Sequence, residues 1–137
     1  MATKRQKELR AQLVAALRSG KHKQGRNRLT SIDKKGREFD CCLGVACKVL
    51  GAKSKIVALD SFADGETLPG GGEIAKQREY AGGEAGVLPK HVMKAFGFKT
   101  RDGSYPGGDL TVLNDSGTSL RKIARIIEQE PEGLFES

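Results

Sequence analysis

Apolar residues recur at helical spacing near both ends of this chain. In residues 4–19 they fall on one face, after a Thr3 and Gln6 pair that has the spacing of a capping box. Residues 120–127 repeat the pattern at i, i+3, i+4 and i+7, and Pro131 limits it. The spacing therefore predicts an amphipathic helix at each end.

The segment between residues 29 and 51 predicts a hairpin followed by a core helix. Residues 29–32 and 37–39 read as two short strands on either side of a turn. Residues 40–50 are apolar on nearly every side, with Asp40 as the expected N-cap and Gly51 as the expected end.

The pattern in the rest of the chain is weaker. Residues 56–59 predict a short buried strand, and the glycine-rich residues 61–86 predict a long connection that binds something or moves. Residues 88–97 predict a third helix, and residues 110–113 a strand. The whole, residues 1–137, is predicted to be one α+β domain with about four helices and a small, mostly antiparallel sheet.

Charge is distributed unevenly around a formal net value of +7. Residues 1–37, the predicted basic helix and loop, carry twelve Lys or Arg and two acidic side chains. The remaining hundred residues carry twelve basic and fifteen acidic side chains. A concentrated positive surface attracts anions, which favours phosphate-bearing partners, although a solvated helix face would have the same composition.

Length and composition also indicate where the protein works. The longest apolar run, residues 41–47, is too short to span a bilayer, and the basic N-terminus lacks an apolar signal core behind it. A cytoplasmic protein without a membrane partner is predicted. Three clustered cysteines in one predicted helix have poor disulfide geometry, so reduced thiols are expected.

Two kinds of phosphate-bearing partner fit the basic segment. With 5% aromatic residues and no Trp, base stacking is poorly supported, but backbone contact with nucleic acid remains open. The same cations suit a small nucleotide-like anion, which is the favoured partner. The candidate ligand-binding residues are Arg18, Lys21, Lys23, Arg26, Arg28, Asn114 and Asp115. For the last two, capping of the following helix is the alternative interpretation.

Within this sequence, the Asp-Cys-Cys-Leu-Gly-Val segment at residues 40–45 is the strongest candidate for a catalytic motif. A thiol in the first turn of a helix feels the positive end of the helix dipole, which favours the thiolate. The segment resembles the aspartate-cysteine-serine-glycine-leucine-valine motif of bacterial cell-wall peptidases of the papain-like superfamily. That resemblance implies Cys41 as a nucleophile and His91 as its base. The alternative is a set of buried structural thiols.

Metal and cofactor motifs are missing from the sequence. The cysteines and the two histidines, His22 and His91, lack the paired spacing of a zinc site. No glycine-lysine-serine/threonine phosphate loop or dinucleotide fingerprint is present. No metal and no cofactor are predicted.

Four separated pieces of sequence carry a second resemblance. They lie at residues 17–29, at the Cys-Cys-Leu-Gly-Val-Ala-Cys run 41–47, at Leu-Pro 88–89, and at Leu-Asn-Asp-Ser-Gly 113–117 with the apolar positions that follow. Together they resemble a family of short proteins encoded by tailed bacteriophages.

The resemblance implies a setting in the cytoplasm of an infected bacterial host. The expected function is that of a non-catalytic accessory protein that binds an anionic partner, such as a nucleotide signal of host antiviral defence. The alternatives are a nucleic-acid-binding or host-protein inhibitor that uses the basic face, and a papain-like cysteine hydrolase. Oligomeric state is left open.

Overall fold

A computed structural model describes residues 1–59, 73–83 and 85–136. The described residues form five helices and two antiparallel sheets, which confirms a small single-domain α+β fold with one more helix than expected. The elements are α1 Lys4–Arg18, β1 Thr30–Asp33, β2 Glu38–Asp40, α2 Cys42–Leu50, β3 Ser54–Ala58, β4 Ile74–Tyr80, α3 Lys90–Phe96, β5 Ser104–Tyr105, β6 Gly108–Asp109, α4 Leu110–Asp115 and α5 Leu120–Gln129.

The two terminal helices form as the periodicity predicts. The capping box is present at α1, where the Thr3 hydroxyl accepts from the Gln6 N–H at 3.1 Å and the Gln6 side chain accepts from the Thr3 N–H at 3.0 Å. α1 packs against α5 and α2, and together they bury Leu9, Leu13, Leu17, Leu43, Val45, Ile123 and Ile127. No helix within the described residues has the length and apolar content needed to cross a membrane.

The main sheet has the strand order β2-β1-β4-β3, with antiparallel neighbours throughout. The predicted hairpin is confirmed, since β1 pairs with β2 and Ser31 lies opposite Phe39. The long connection expected over residues 61–86 contains a strand that the sequence did not predict, because Ile74–Tyr80 lies between β1 and β3. The sequence of this strand is mostly polar, so its hydrophobic pattern does not predict a strand. The rest of that prediction, residues 61–72 and 84, lies outside the described residues.

Strand β3 contains most of the predicted buried run 56–59, but it lies at the edge of the sheet. The strand was therefore predicted correctly, but the prediction that it is buried is wrong, because Ile56 is 52% exposed. An edge strand has only one neighbour to cover it.

Helix α2 is the centre of the core, with all six residues from Cys42 to Cys47 buried. Its N-cap is Cys41, whose Sγ accepts from the Gly44 N–H at 3.4 Å, and not Asp40 as predicted. Gly44 lies against the backbone of Leu29, where an added Cβ would come within 1.8 Å of the carbonyl oxygen. Gly51, with φ +76°, ends the helix as predicted.

The predicted strand at residues 110–113 is wrong, because this segment begins helix α4. Asp109 caps it, accepting from the Val112 N–H at 3.1 Å. A short apolar run fits a strand or a helix equally well by periodicity, and here the cap and the packing against α2 decide.

Candidate functional site

Residues 21–28, called here the basic loop, follow α1 and run beside strand β2. The Asp40 N–H donates to the Lys23 carbonyl at 2.7 Å, and the Gly25 N–H donates to the Asp40 carbonyl at 2.9 Å. These bonds give a short parallel bridge at Gln24. A Cβ at Gly25 would approach the Phe39 carbonyl oxygen to 2.9 Å, so this close contact needs glycine. These contacts hold the backbone of the basic loop in place.

Asn114 anchors the basic loop from inside the protein and is fully buried. Its Oδ1 accepts from the Gln24 side-chain amide at 3.0 Å and from the Cys42 N–H at 3.1 Å. Its Nδ2 donates to the Gly25 carbonyl at 2.8 Å and to Asp115 Oδ1 at 3.2 Å. Two acceptor and two donor positions are therefore occupied, which leaves none for a ligand. Asn114 positions the loop.

Asp115 is a second anchor, since its Oδ1 accepts from the Asn27 N–H at 3.0 Å. Gln24 also donates to the Thr118 carbonyl at 2.7 Å, which ties the loop to the link between α4 and α5. Neither Asn114 nor Asp115 caps the following helix, because the N-cap of α5 is Ser119. Both residues lie in the last turn of α4.

Three of the predicted binding residues, Lys21, Lys23 and Arg26, are exposed on the basic loop and are called the loop cations. Within the described part of the chain, none of the three forms an ion pair. Lys23 Nζ lies 5.8 Å from the centroid of the Phe39 ring, and the Arg26 guanidinium lies beside Gly117. Their charges are available to an anion from solvent.

Arg28 differs from the loop cations because its guanidinium is already engaged. It is half-buried, and its Nε donates to the Gln77 side chain at 2.8 Å. The contact joins the end of the loop to strand β4.

Arg18 is separate from the loop cations and faces helix α5. Its guanidinium makes two hydrogen bonds of 2.9 Å to the carboxylate of Glu128. Arg10, about two helical turns before it, bonds Glu130 at 2.7 Å and lies 3.7 Å from the centroid of Phe135. These arginines hold α1 to the C-terminal part of the fold.

A buried network centred on Asp40 lies behind the basic loop. Its Oδ2 is 3.1 Å from His22 Nδ1 and 3.0 Å from Lys48 Nζ, while its Oδ1 accepts from the Thr30 hydroxyl at 2.6 Å. The Thr30 hydroxyl also contacts the Tyr80 hydroxyl at 2.7 Å, and burial raises the pKa of Tyr80. No local sequence pattern predicts this network, because its members come from five separate segments.

A cavity of about 290 Å³ next to that network is lined in part by Glu38, Lys48, Ser54 and Arg78. Arg78 bonds both oxygens of Glu38, at 2.6 and 2.8 Å, and Lys48 Nζ is 3.0 Å from it. The hydrogen bond from Arg78 holds the pKa of Glu38 at about 2, with Lys48 adding to the effect. Both cations are therefore neutralised by a neighbouring carboxylate.

The proposed pair of Cys41 and His91 does not form a reactive arrangement. Cys41 is buried at the start of α2, and this burial raises its pKa to about 12 despite the helix dipole. Burial likewise raises the pKa of Cys47 to about 12, and it raises the pKa of Cys42 well above its usual value. His91 is exposed on α3, with its ring beside Gly82. All three cysteines are free thiols inside the core, as the structural alternative predicted.

No group of three or more His, Cys, Asp or Glu side chains in the described ranges is arranged to hold a metal ion.

No curated protein and no solved structure gives a significant match. One family model matches residues 5–131, which is nearly the whole chain and includes the basic loop, the Asp40 network and Asn114. The protein therefore belongs to the family described as Domain of unknown function (DUF8296).

Proposed function

We propose that this protein is a non-catalytic accessory protein that binds an anionic, phosphate-bearing partner through the loop cations Lys21, Lys23 and Arg26. The observation that carries the proposal is the combination of three exposed cations, which form no ion pair within the described part of the chain, with a backbone fixed by Asp40 and Asn114.

Fixing the backbone before binding matters for affinity. A flexible loop loses conformational freedom when a ligand orders it, and that loss weakens binding. Here Gln24, Gly25 and Asn27 are already bonded to the rest of the fold, so only the side chains of the loop cations remain to be ordered.

The state of the cysteines supports a binding protein over a hydrolase. A nucleophilic thiol needs a low pKa and access to substrate, whereas Cys41 is buried with a raised pKa. Its Sγ serves the fold by capping α2.

The resemblance to tailed-bacteriophage proteins supplies a setting for the proposal. In the cytoplasm of an infected bacterium, phosphate-bearing partners include nucleotide signals of antiviral defence, nucleic acids and nucleic-acid-bound host proteins. Sequestration of a nucleotide signal is one version of the proposed function, and the test below has an arm for it.

The test measures the melting temperature and, by titration calorimetry, the affinity of the full chain for ATP, ADP-ribose, a cyclic dinucleotide and a short duplex at low salt. A ligand that binds only the native state at about 100 times its Kd adds about 2.7 kcal/mol of stability. We expect at least one of these anions to raise the melting temperature. We also expect a Lys21→Gln, Lys23→Gln, Arg26→Gln variant to lose at least about tenfold in affinity for it.

A matched control removes three positive charges elsewhere. Lys90, Lys94 and Lys99 are exposed in or near α3, and a triple Gln variant of these residues has the same net charge as the loop variant. We expect it to bind almost as the wild type does. Equal losses in the two variants, or no binding of any of these anions at low salt, would contradict the proposal.

A further inference from the structure

Helix α5 carries a stripe of cations that its role in the core does not explain. Its apolar side packs inward, while Arg121, Lys122 and Arg125 are exposed. Residues three and four apart on a helix face lie about 5–6 Å from each other at Cβ, so the three charges form one cluster.

This cluster is placed where it opposes the stability of the helix. Arg121 and Lys122 lie in the first turn, which contains no acidic residue, and the helix dipole is positive at that end. Like charges at i, i+4, such as Arg121 and Arg125, repel each other as well. A bound anion would offset both effects.

The stripe adjoins the basic loop. The Gln24 amide donates to the Thr118 carbonyl at 2.7 Å, two residues before α5 begins. The Arg26 guanidinium lies beside Gly117 in the same link. The two neighbouring groups of exposed cations, Lys21, Lys23 and Arg26 on the loop and Arg121, Lys122 and Arg125 on α5, are together called the basic face. Within the described residues none of the six forms an ion pair, and, after the hydrogen bond from Arg18, the charge of Arg125 helps to lower the pKa of Glu128.

The shape of the basic face selects a large anion over a small one. Small-molecule sites bury most of the ligand in a concave pocket. Two cavities of about 510 and 540 Å³ lie elsewhere, one near Pro106 and Phe135 and the other between α1 and α5 near Val14. The six cations instead project from an exposed loop and an exposed helix side, as suits contact with several phosphates of one chain.

The aromatic residues select between forms of nucleic acid. Proteins that bind single strands stack bases on exposed aromatic side chains. The sequence has no Trp, and no Phe or Tyr among the described residues is exposed. The described residues therefore offer no aromatic platform for base stacking, whereas their cations suit the phosphodiester backbone, which a duplex presents on its outside.

We propose that the basic face binds the phosphodiester backbone of double-stranded nucleic acid, with Arg121, Lys122 and Arg125 extending the contact begun by the loop cations. This inference rests on the proposed anion binding and adds to it a partner class and three residues.

The experiment measures fluorescence anisotropy of labelled DNA and RNA duplexes of about 20 base pairs with the full chain, from about 50 to about 200 mM salt. The α5 variant combines Arg121→Gln, Lys122→Gln and Arg125→Gln. The control is the matched triple Gln variant of Lys90, Lys94 and Lys99. Each lost phosphate contact reduces the slope of log affinity against log salt by about 1, so the α5 variant should lose about 2 to 3. At the lowest salt its affinity should fall about tenfold, while the control keeps the wild-type slope.

The outcomes separate the inference from the proposed function. An α5 variant that keeps the wild-type slope and affinity overturns the inference. Binding confined to mononucleotides and dependent on the loop cations also overturns it but leaves the proposed function standing. If poly-glutamate binds as tightly as the duplex at equal salt, the partner of the basic face is an acidic protein, and the inference is overturned. A wild-type protein that binds no anion overturns both. The DNA and RNA arms identify which duplex is preferred.

Discussion

Two groups of basic residues within the first 37 positions have different roles. On α1, Arg10 and Arg18 are paired with Glu130 and Glu128 and hold two helices together. On the basic loop, Lys21, Lys23 and Arg26 are exposed and form no ion pair with the described residues, but their backbone is fixed.

The difference shows that a count of charges does not identify a binding surface. A cation that meets a carboxylate from a distant segment is neutralised locally and contributes little to the external field. A cation without such a partner keeps its field, and a fixed backbone directs it. The predictions that follow test the anchoring of the loop and the pairing of the other cations.

The largest effect is expected from Asn114→Ala, which removes the anchor of the basic loop. The change leaves the Cys42 N–H, the Gly25 carbonyl and the Gln24 amide short of a partner in a buried site, at a cost of about 3 kcal/mol of unfolding free energy. Urea unfolding measures this loss.

A milder variant and a control make the test of anchoring sharper. Gln24→Ala removes one connection without changing charge, so it should cost about 1 kcal/mol and also weaken anion binding. Gln12→Ala, on the exposed side of α1, should change neither quantity. Wild-type anion affinity in Gln24→Ala would show that anchoring of the loop is irrelevant to binding.

An intermediate effect is expected at Glu38, which neutralises Lys48 and Arg78. Since its folded pKa is about 2, below the 4.5 of a free glutamate, its stabilisation is complete above pH 4.5 and is lost as the pH falls towards 2. The side chain of Glu38 is 29% exposed, and after allowance for solvent screening its ion pairs should contribute about 2 kcal/mol to the free energy of unfolding near neutral pH.

The measurement for Glu38 is urea unfolding of wild type and Glu38→Gln across this pH range. The difference in unfolding free energy should be largest near neutral pH and should shrink between pH 4.5 and 2. Glu8→Gln, on the exposed side of α1, is the control. A difference that does not vary with pH would contradict the assigned pairing.

The smallest effect is expected from the double variant Arg18→Gln, Glu128→Gln. Exposed ion pairs contribute little to stability, and the double change leaves the net charge unaltered. Melting temperature and anion affinity should therefore remain at wild-type values. A loss of affinity comparable with that of the loop variant would place Arg18 in the binding surface, where the sequence first suggested it.

Several parts of the fold could be predicted because their signals are local. The Thr3 cap, the hairpin around Asp33 and the end of α2 at Gly51 depend on neighbouring residues and on backbone conformations that only certain side chains adopt. The short run 110–113 could not be assigned, because its helix depends on the Asp109 cap and on packing against α2.

The candidate site was predicted only in part. The exposed positions of Lys21, Lys23 and Arg26 follow from a polar, glycine-containing segment. The α5 cations were overlooked because the hundred residues after position 37 carry a net negative charge, which hides a local cluster. Asn114 was predicted to bind a ligand, but it is 0% exposed and its side chain lies inside the protein.

The sequence by itself determined the two amphipathic helices, the apolar core helix and the concentration of positive charge near the N-terminus. These follow from periodicity and composition, which act over a few residues. Only the tertiary structure decided which cations are neutralised and which are exposed, because each pairing joins residues far apart in the chain, such as Arg18 with Glu128. It also decided that the basic loop is held by Asn114, 89 positions beyond Gly25, since a buried amide must find its hydrogen-bond partners wherever the fold brings them.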